Sequence, residues 1–75
     1  MSRTPIIPAR ALIKLLRRLG FVEVRSKGSH RRFAHPDGRK TTVPVHKGRD
    51  LPRGLFRQIV TIDIGMEMDE FVRLL

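Results

Sequence analysis

The histidines of this chain are the side chains best suited to proton transfer, because imidazole titrates close to neutral pH. Cations surround His30 in the sequence, at Lys27, Arg31 and Arg32, and these could bind phosphates. If these phosphates belong to RNA, the substrate contains its own nucleophile, the 2′-hydroxyl. Its cleavage therefore needs only a base, an acid and cations that neutralise the charge that develops on the phosphorus. His30 and His46 are the candidates for the two proton transfers.

The charge of the chain is strongly positive and unevenly distributed. Its 75 residues include 16 Lys and Arg against 7 Asp and Glu, a formal net charge of +9. Residues 1–60 contain 15 of the cations but only three of the acids. Such a field attracts polyanions, and nucleic acid is the commonest of these. Since the chain has no Trp, no Tyr and only four Phe, we expect recognition by shape, phosphate contacts and hydrogen bonds rather than by aromatic stacking.

Length and composition exclude several classes of protein. At this length we expect one domain over residues 1–75. The chain has no cysteine, which rules out disulfides and thiolate metal sites. Three histidines without paired carboxylates beside them make a poor metal site, so we expect no metal and no other cofactor. No apolar run reaches the roughly 18 residues that a membrane span needs; we therefore expect a cytoplasmic protein with no membrane partner.

The apolar pattern predicts a helix followed by three strands. The helix is expected over residues 8–19, and the strands over 21–26, 29–35 and 39–46. One helix face is apolar through Ala9, Leu12, Ile13, Leu16 and Leu19, and Gly20 is expected to end the helix as its C′ residue. In the first strand Val22 and Val24 alternate with charged residues, as in a half-buried strand.

The turn between the second and third strands determines which side chains share a face. Residues 36–38, Pro-Asp-Gly, are typical of a three-residue hairpin loop. Such a loop places Phe33 opposite Thr41, and a slip of one residue would reverse every side chain. This register predicts a buried face with Phe33, Val43 and Val45. The opposite, open face is then expected to carry His30, Arg32, Lys40, Thr42 and His46.

Two further helices complete the predicted architecture. One is expected from about Pro52 to Asp63, with Asp50 as a possible N-cap, and a short one near Asp69 to Leu74. Their predicted buried residues are Leu55, Phe56, Ile59, Ile62, Phe71 and Leu74. The order helix, three strands, helix, short helix predicts an α+β fold with the helices on one face of a three-stranded antiparallel sheet. A double-stranded-RNA-binding domain has this order.

Several short motifs, in order along nearly the whole chain, resemble those of the HicA toxins. They are Leu19-Gly20-Phe21, Gly28-Ser29-His30, His35-Pro36-Asp37-Gly38 and Thr42-Val43-Pro44-Val45-His46. The sequence departs from the family pattern at Leu55, where a hydroxyl is usual. It also departs at Glu67, where the last helix usually has a Ser or Thr cap.

The resemblance implies both a fold and an activity. HicA proteins have a double-stranded-RNA-binding-domain-like fold, cleave mRNA and so arrest translation, and are neutralised by an antitoxin, HicB. A histidine in the Gly-Ser-His segment is essential to them, which implies that His30 is catalytic and that Gly28 and Ser29 shape its entry into the strand. We expect a metal-independent endoribonuclease whose RNA-binding residues are Lys27, Gly28, Ser29, Arg31, Arg32, Lys40 and His46.

Two other functions are compatible with the sequence. A non-catalytic basic RNA-binding module would keep its affinity for RNA after the loss of His30 and would cause no RNA decay. A protein-interaction component would use its basic face for an acidic partner and would bind RNA weakly and without specificity.

Overall fold

Helices cover one face of a small sheet, and the other face is uncovered. The computed structural model describes residues 4–75, which form α1 (Ala9–Arg18), β1 (Val22–Lys27), β2 (His30–Ala34), β3 (Lys40–Pro44), α2 (Arg53–Gln58), a π-helical segment (Ile59–Ile64) and α3 (Met68–Val72). The strands form one antiparallel sheet in the order β1-β2-β3. The predicted α+β fold of the double-stranded-RNA-binding type is thereby confirmed. Among these residues no helix has the length and apolar character to cross a membrane.

Helix α1 packs its predicted apolar face into the core and ends as its sequence indicates. Ala9, Leu12, Ile13 and Leu16 are buried as predicted, and Leu15 is buried as well. Leu19, also predicted on this face, is only partly buried against the core. Gly20 has a φ of +100°, which glycine adopts without a steric penalty. The Phe21 amide donates to the Leu16 carbonyl at 2.9 Å and the Gly20 amide donates to the Arg17 carbonyl at 3.1 Å. These two bonds form a Schellman cap, and they turn the buried Phe21 ring back towards the helix.

The β2–β3 hairpin has the predicted register. Phe33 is paired with Thr41 and Arg31 with Val43, and the His35 amide donates to the Arg39 carbonyl at 2.8 Å across the loop. Phe33 and Val43 are fully buried, whereas Val45 is only partly buried against the core. The predicted strands 29–35 and 39–46 are longer than the observed ones by one or two residues at the ends.

The edge strand β1 differs from the predicted alternation. Its register with β2 shifts between Glu23 and Arg25, so Val24 is an extra, bulged residue. Val22 and Val24 are both 58% exposed, and Glu23 is only partly exposed. The bulge places Arg25 opposite Arg32 and Lys27 opposite His30, which brings both cations to the face of His30.

The second predicted helix is an α-helix in its first half and a π-helix in its second half. This change corrects the prediction of which of its residues are buried. After α2 the chain continues as a π-helix, and Ile59, Val60 and Ile64 are buried in it. The prediction that Ile62 is buried is wrong, because its side chain is 72% exposed. With hydrogen bonds from residue i to i+5, the wider turn carries position 62 away from the core. Leu55, also predicted to be buried, is only partly buried against the core.

The predicted ends of α2 and α3 need small corrections. The N-cap of α2 is Pro52, without a side-chain cap. Asp50, the predicted cap, instead forms an isolated β-bridge with Pro8. Helix α3 buries Met68 and Phe71. The prediction that Leu74 is buried is wrong, since this residue lies past the helix and is 38% exposed.

Candidate functional site

The uncovered face of the sheet is cationic and contains no acidic residue. The pairing of the three strands places on it Val22, Arg25, Lys27, His30, Arg32, Ala34, Lys40, Thr42 and Pro44. No side chain from the helices covers His30, Arg32, Lys40 or Thr42, all of which are exposed. Arg25, Lys27, Arg32 and Lys40 all lie on this face and none of its strand residues is acidic, so the accessible side of the sheet presents concentrated positive charge to a polyanion.

His30 lies in a shallow cleft on this face together with three cations. The cleft has a volume of about 230 Å³, and Arg25, Lys27, His30, Arg32 and Thr42 line it. Each of these side chains comes from a strand, so the sheet backbone determines their spacing. A negatively charged group in the cleft would meet the imidazole, the Thr42 hydroxyl and three positive charges at once.

The Gly28-Ser29 turn positions His30 as the first residue of β2. Lys27 and His30 are the last pair of the β1–β2 ladder, which leaves a two-residue turn. Gly28 occupies the first turn position at a φ of +58°, the region that a tight hairpin requires there. The Val45 amide donates to the Ser29 carbonyl at 2.7 Å and so ties the turn to the chain that follows β3. The backbone around His30 is therefore held on both sides.

Arg31, adjacent to His30 in the sequence, lies on the opposite face of the sheet. Its guanidinium donates to the two Glu23 carboxylate oxygens at 2.9 and 2.6 Å and lies 5.9 Å from the centre of the Phe33 ring. The hydrogen bonds from Arg31 lower the pKa of the Glu23 carboxyl, and they outweigh the opposing effect of desolvation. Arg31 is thus not brought together with the other predicted RNA-binding residues.

His46 and Lys40 lie outside the cleft, in two neighbouring cavities. His46 lines a cavity of about 480 Å³ beside the start of α1, together with Arg10 and Arg49. Lys40 lines a cleft of about 300 Å³ along β3, which also includes Arg32 and Thr42. The structure therefore brings Lys27 and Arg32 to His30 and places Gly28 and Ser29 in the adjoining turn. His30 and His46 line different cavities.

No sequence pattern identifies Arg25 or Thr42 as a site residue. The predicted hairpin register places Thr42 on the open face but assigns it no function. Arg25 reaches that face only because of the bulge at Val24. The pattern Val-Glu-Val-Arg suggests uninterrupted alternation, and no local signal in it marks an extra residue.

The remaining histidine, His35, has a structural role. Its Nε2 lies 3.1 Å from the Leu19 carbonyl oxygen at the end of α1, and its Nδ1 accepts from the Asp37 amide at 3.1 Å. The Nε2–H tautomer satisfies both bonds. The ring also packs edge-on against Phe21 at 5.1 Å between centroids. His35 therefore links the hairpin loop to the helix. Within residues 4–75 there is no group of three His, Cys, Asp or Glu side chains that could bind a metal ion.

Comparison with known proteins identifies the family. The family described as "HicA toxin of bacterial toxin-antitoxin" matches residues 9–66, a range that runs from the start of α1 past the π-helical segment. No curated protein matches the chain. The matched range includes all three strands and the whole cleft around His30. The chain therefore belongs to the HicA toxin family of bacterial toxin–antitoxin systems.

Proposed function

We propose that this toxin is a cytoplasmic endoribonuclease that cleaves mRNA with His30 and so arrests translation. The observation that carries the proposal is the cleft itself, in which an exposed histidine lies among Arg25, Lys27 and Arg32. Family membership supplies the toxin role. The positive face supplies affinity for a polyanion, since neutralisation of phosphates by Lys and Arg releases counterions.

The reaction needs one bond to form and one to break. The 2′-oxygen of the ribose attacks the adjacent phosphorus and loses its proton to a base, while the bond from phosphorus to the 5′-oxygen breaks and that oxygen gains a proton. The products are a 2′,3′-cyclic phosphate and a 5′-hydroxyl. His30 performs one of the two proton transfers, because an imidazole can act as either base or acid.

The cations of the cleft stabilise the transition state. Arg25, Lys27 and Arg32 are placed by the sheet before the RNA arrives, so their charges need little reorganisation as negative charge develops on the phosphoryl oxygens. Since the 2′-hydroxyl is the nucleophile, no metal-bound water is required for attack. We accordingly expect cleavage to continue in the presence of EDTA.

The deciding experiment compares wild type with His30→Ala and His46→Ala upon induced expression in bacteria. We expect wild type and His46→Ala to arrest growth and degrade mRNA, and His30→Ala to do neither. His46→Ala is the matched control, because it removes an exposed histidine outside the cleft. Purified wild type should leave cyclic phosphate ends on RNA.

Other outcomes would each reject a definite part of the proposal. If His30→Ala is folded and still degrades RNA, His30 is not the catalytic residue, and His46 becomes the candidate. If wild type binds RNA without degrading it, the protein is a non-catalytic RNA-binding module. Products with 3′-hydroxyl ends would exclude attack by the 2′-oxygen.

The antitoxin of this system should cover the same face. We propose a HicB-like partner that places an acidic segment over His30, because such a segment complements the four cations of the open face and excludes RNA. A charge-reversing change at Arg32 is expected to weaken both RNA binding and antitoxin binding, mainly through slower association.

A further inference from the structure

A second cleft adjoins the cleft of His30 and differs from it in chemistry. It lies between β3 and the π-helical segment and has a volume of about 300 Å³. Arg32 and Thr42 line both clefts, so a nucleic acid strand bound at His30 has the second cleft within reach. This volume is near the lower end of the range for small-molecule sites, roughly 300 Å³.

The second cleft has an apolar floor and a polar rim. Leu55 and Ile59, from α2 and the π-helical segment, supply the apolar side chains, and Gln58 and Asp63 supply an amide and a carboxylate. A nucleobase has the same division, because its flat faces are apolar and its edges carry hydrogen-bond donors and acceptors. A phosphate would instead favour a site without a carboxylate.

Asp63 is the feature that a phosphate-binding role leaves unexplained. One of its oxygens, Oδ2, accepts from the Thr41 hydroxyl at 2.9 Å, and no ion pair to it is found among residues 4–75. The carboxylate lines the same cleft as Arg32 and Lys40. A carboxylate beside bound RNA repels the phosphates, and a hydrogen bond from the ligand to its second oxygen would offset that repulsion.

We propose that this cleft binds one nucleobase of the RNA next to the scissile phosphate and selects bases with an exocyclic amino group. The free oxygen of Asp63 accepts from the amino group, as acidic side chains do from cytosine, and the Gln58 amide contacts the remaining edge. Adenine, cytosine and guanine carry such an amino group and uracil does not. The inference rests on the proposed RNA-binding function and adds a base preference to it.

The test measures affinity for octamers of rA, rC and rU by fluorescence anisotropy, with His30→Ala as the starting protein so that the RNA stays intact. We expect rA or rC to bind more tightly than rU, and Asp63→Asn to reduce that preference by roughly tenfold, the size of a single base-reading contact. The asparagine oxygen can still accept from Thr41, which protects the fold. Gln58→Ala, at an exposed position on α2, should also lower the preference.

The control is Asp69→Asn, which removes the same charge at an exposed position of α3 and should leave the base preference unchanged. If Asp63→Asn raises the affinity for all three octamers equally, Asp63 acts through charge alone and the base-reading proposal is wrong. Equal affinities in the starting protein would also overturn it. Neither result bears on cleavage. Conversely, the wild-type protein could cut no RNA and still show a base preference that depends on Asp63. That result would overturn the nuclease proposal and support the proposal that the second cleft binds a nucleobase.

Discussion

At the scale of single residues, Glu23 organises the cations on the covered face of the sheet. Its carboxylate is bound by Arg31 and, at 3.2 Å, by Arg17. Both guanidinium groups also lie within 6 Å of the Phe33 ring centre. An acid on an edge strand of a basic protein thus joins α1 to the sheet and pairs with two arginines on its covered side.

The low pKa of Glu23 predicts a pH-dependent contribution to stability. Arg31, and to a lesser extent Arg17, hold the pKa of the Glu23 carboxyl below its ordinary value of 4.5. A lowered folded-state pKa stabilises the fold above the ordinary value, and this contribution is lost as the pH falls through the folded-state pKa. We expect Glu23→Gln to lower the urea midpoint at pH 7 and to match wild type at strongly acidic pH.

A matched carboxylate distinguishes this effect from a general loss of charge. Glu67→Gln removes an exposed acid and should give the same urea midpoint as wild type at both pH values. If the urea midpoint of Glu23→Gln is lower than that of wild type by the same amount in acid as at pH 7, packing rather than the ion pairs is responsible.

At the scale of elements, the π-helical segment decides which residues enter the core. The run Ile59-Val60-Thr61-Ile62 is β-branched, which makes a regular α-helix less favourable. The Thr61 hydroxyl donates back to the Arg57 carbonyl at 2.7 Å, a bond that tends to bend helices. Arg39 donates to the Ile64 carbonyl at 2.7 Å and so attaches the end of the segment to the β2–β3 loop.

Two isoleucines of this segment provide an internal comparison. Ile59 is 1% exposed and Ile62 is 72% exposed. We expect Ile59→Ala to lower the free energy of unfolding by about 2–5 kcal/mol, because it leaves a cavity. Ile62→Ala should change it by less than about 0.5 kcal/mol, as surface substitutions usually do. Urea denaturation measures both. Equal losses would mean that the segment is α-helical in solution and that both residues are buried.

At the scale of the whole molecule, we expect RNA binding to depend more on the position of each charge than on the net charge. The open face has four cations and no acid, whereas residues 61–75 contain four of the seven acids. RNA is therefore expected to approach the open face and to avoid the last helix.

Two arginine substitutions with the same net charge test this distribution. Arg25 lines the cleft of His30, and Arg73 follows α3. In the His30→Ala protein, we expect Arg25→Gln to weaken RNA binding and to reduce the slope of log affinity against log salt by about 1, the value for one lost phosphate contact. Arg73→Gln should leave the slope unchanged. Similar slopes for the two variants would show that only net charge governs binding.

The sequence by itself determined the hairpin, the first helix and the open face. The Pro-Asp-Gly loop and the apolar positions Phe33 and Val43 favour one register, because a slip of one residue would put these two side chains on opposite faces of the sheet. That register is sufficient to place His30 and Arg32 on the same face. The glycine at position 20 similarly marks the end of α1, because its positive φ is costly for other residues.

Only the tertiary structure decided which cations accompany His30. Arg31 is adjacent in the sequence, but the alternation of the strand directs it to Glu23 on the covered face. Arg25 joins the cleft through a bulge, and Asp63 reaches its own cleft through a π-helix. Bulges and π-turns each add a residue to a regular repeat, and packing against the rest of the molecule decides where that residue is accommodated. The strand alternation or helical periodicity of a sequence therefore predicts which side chains share a face only up to the first bulge or π-turn.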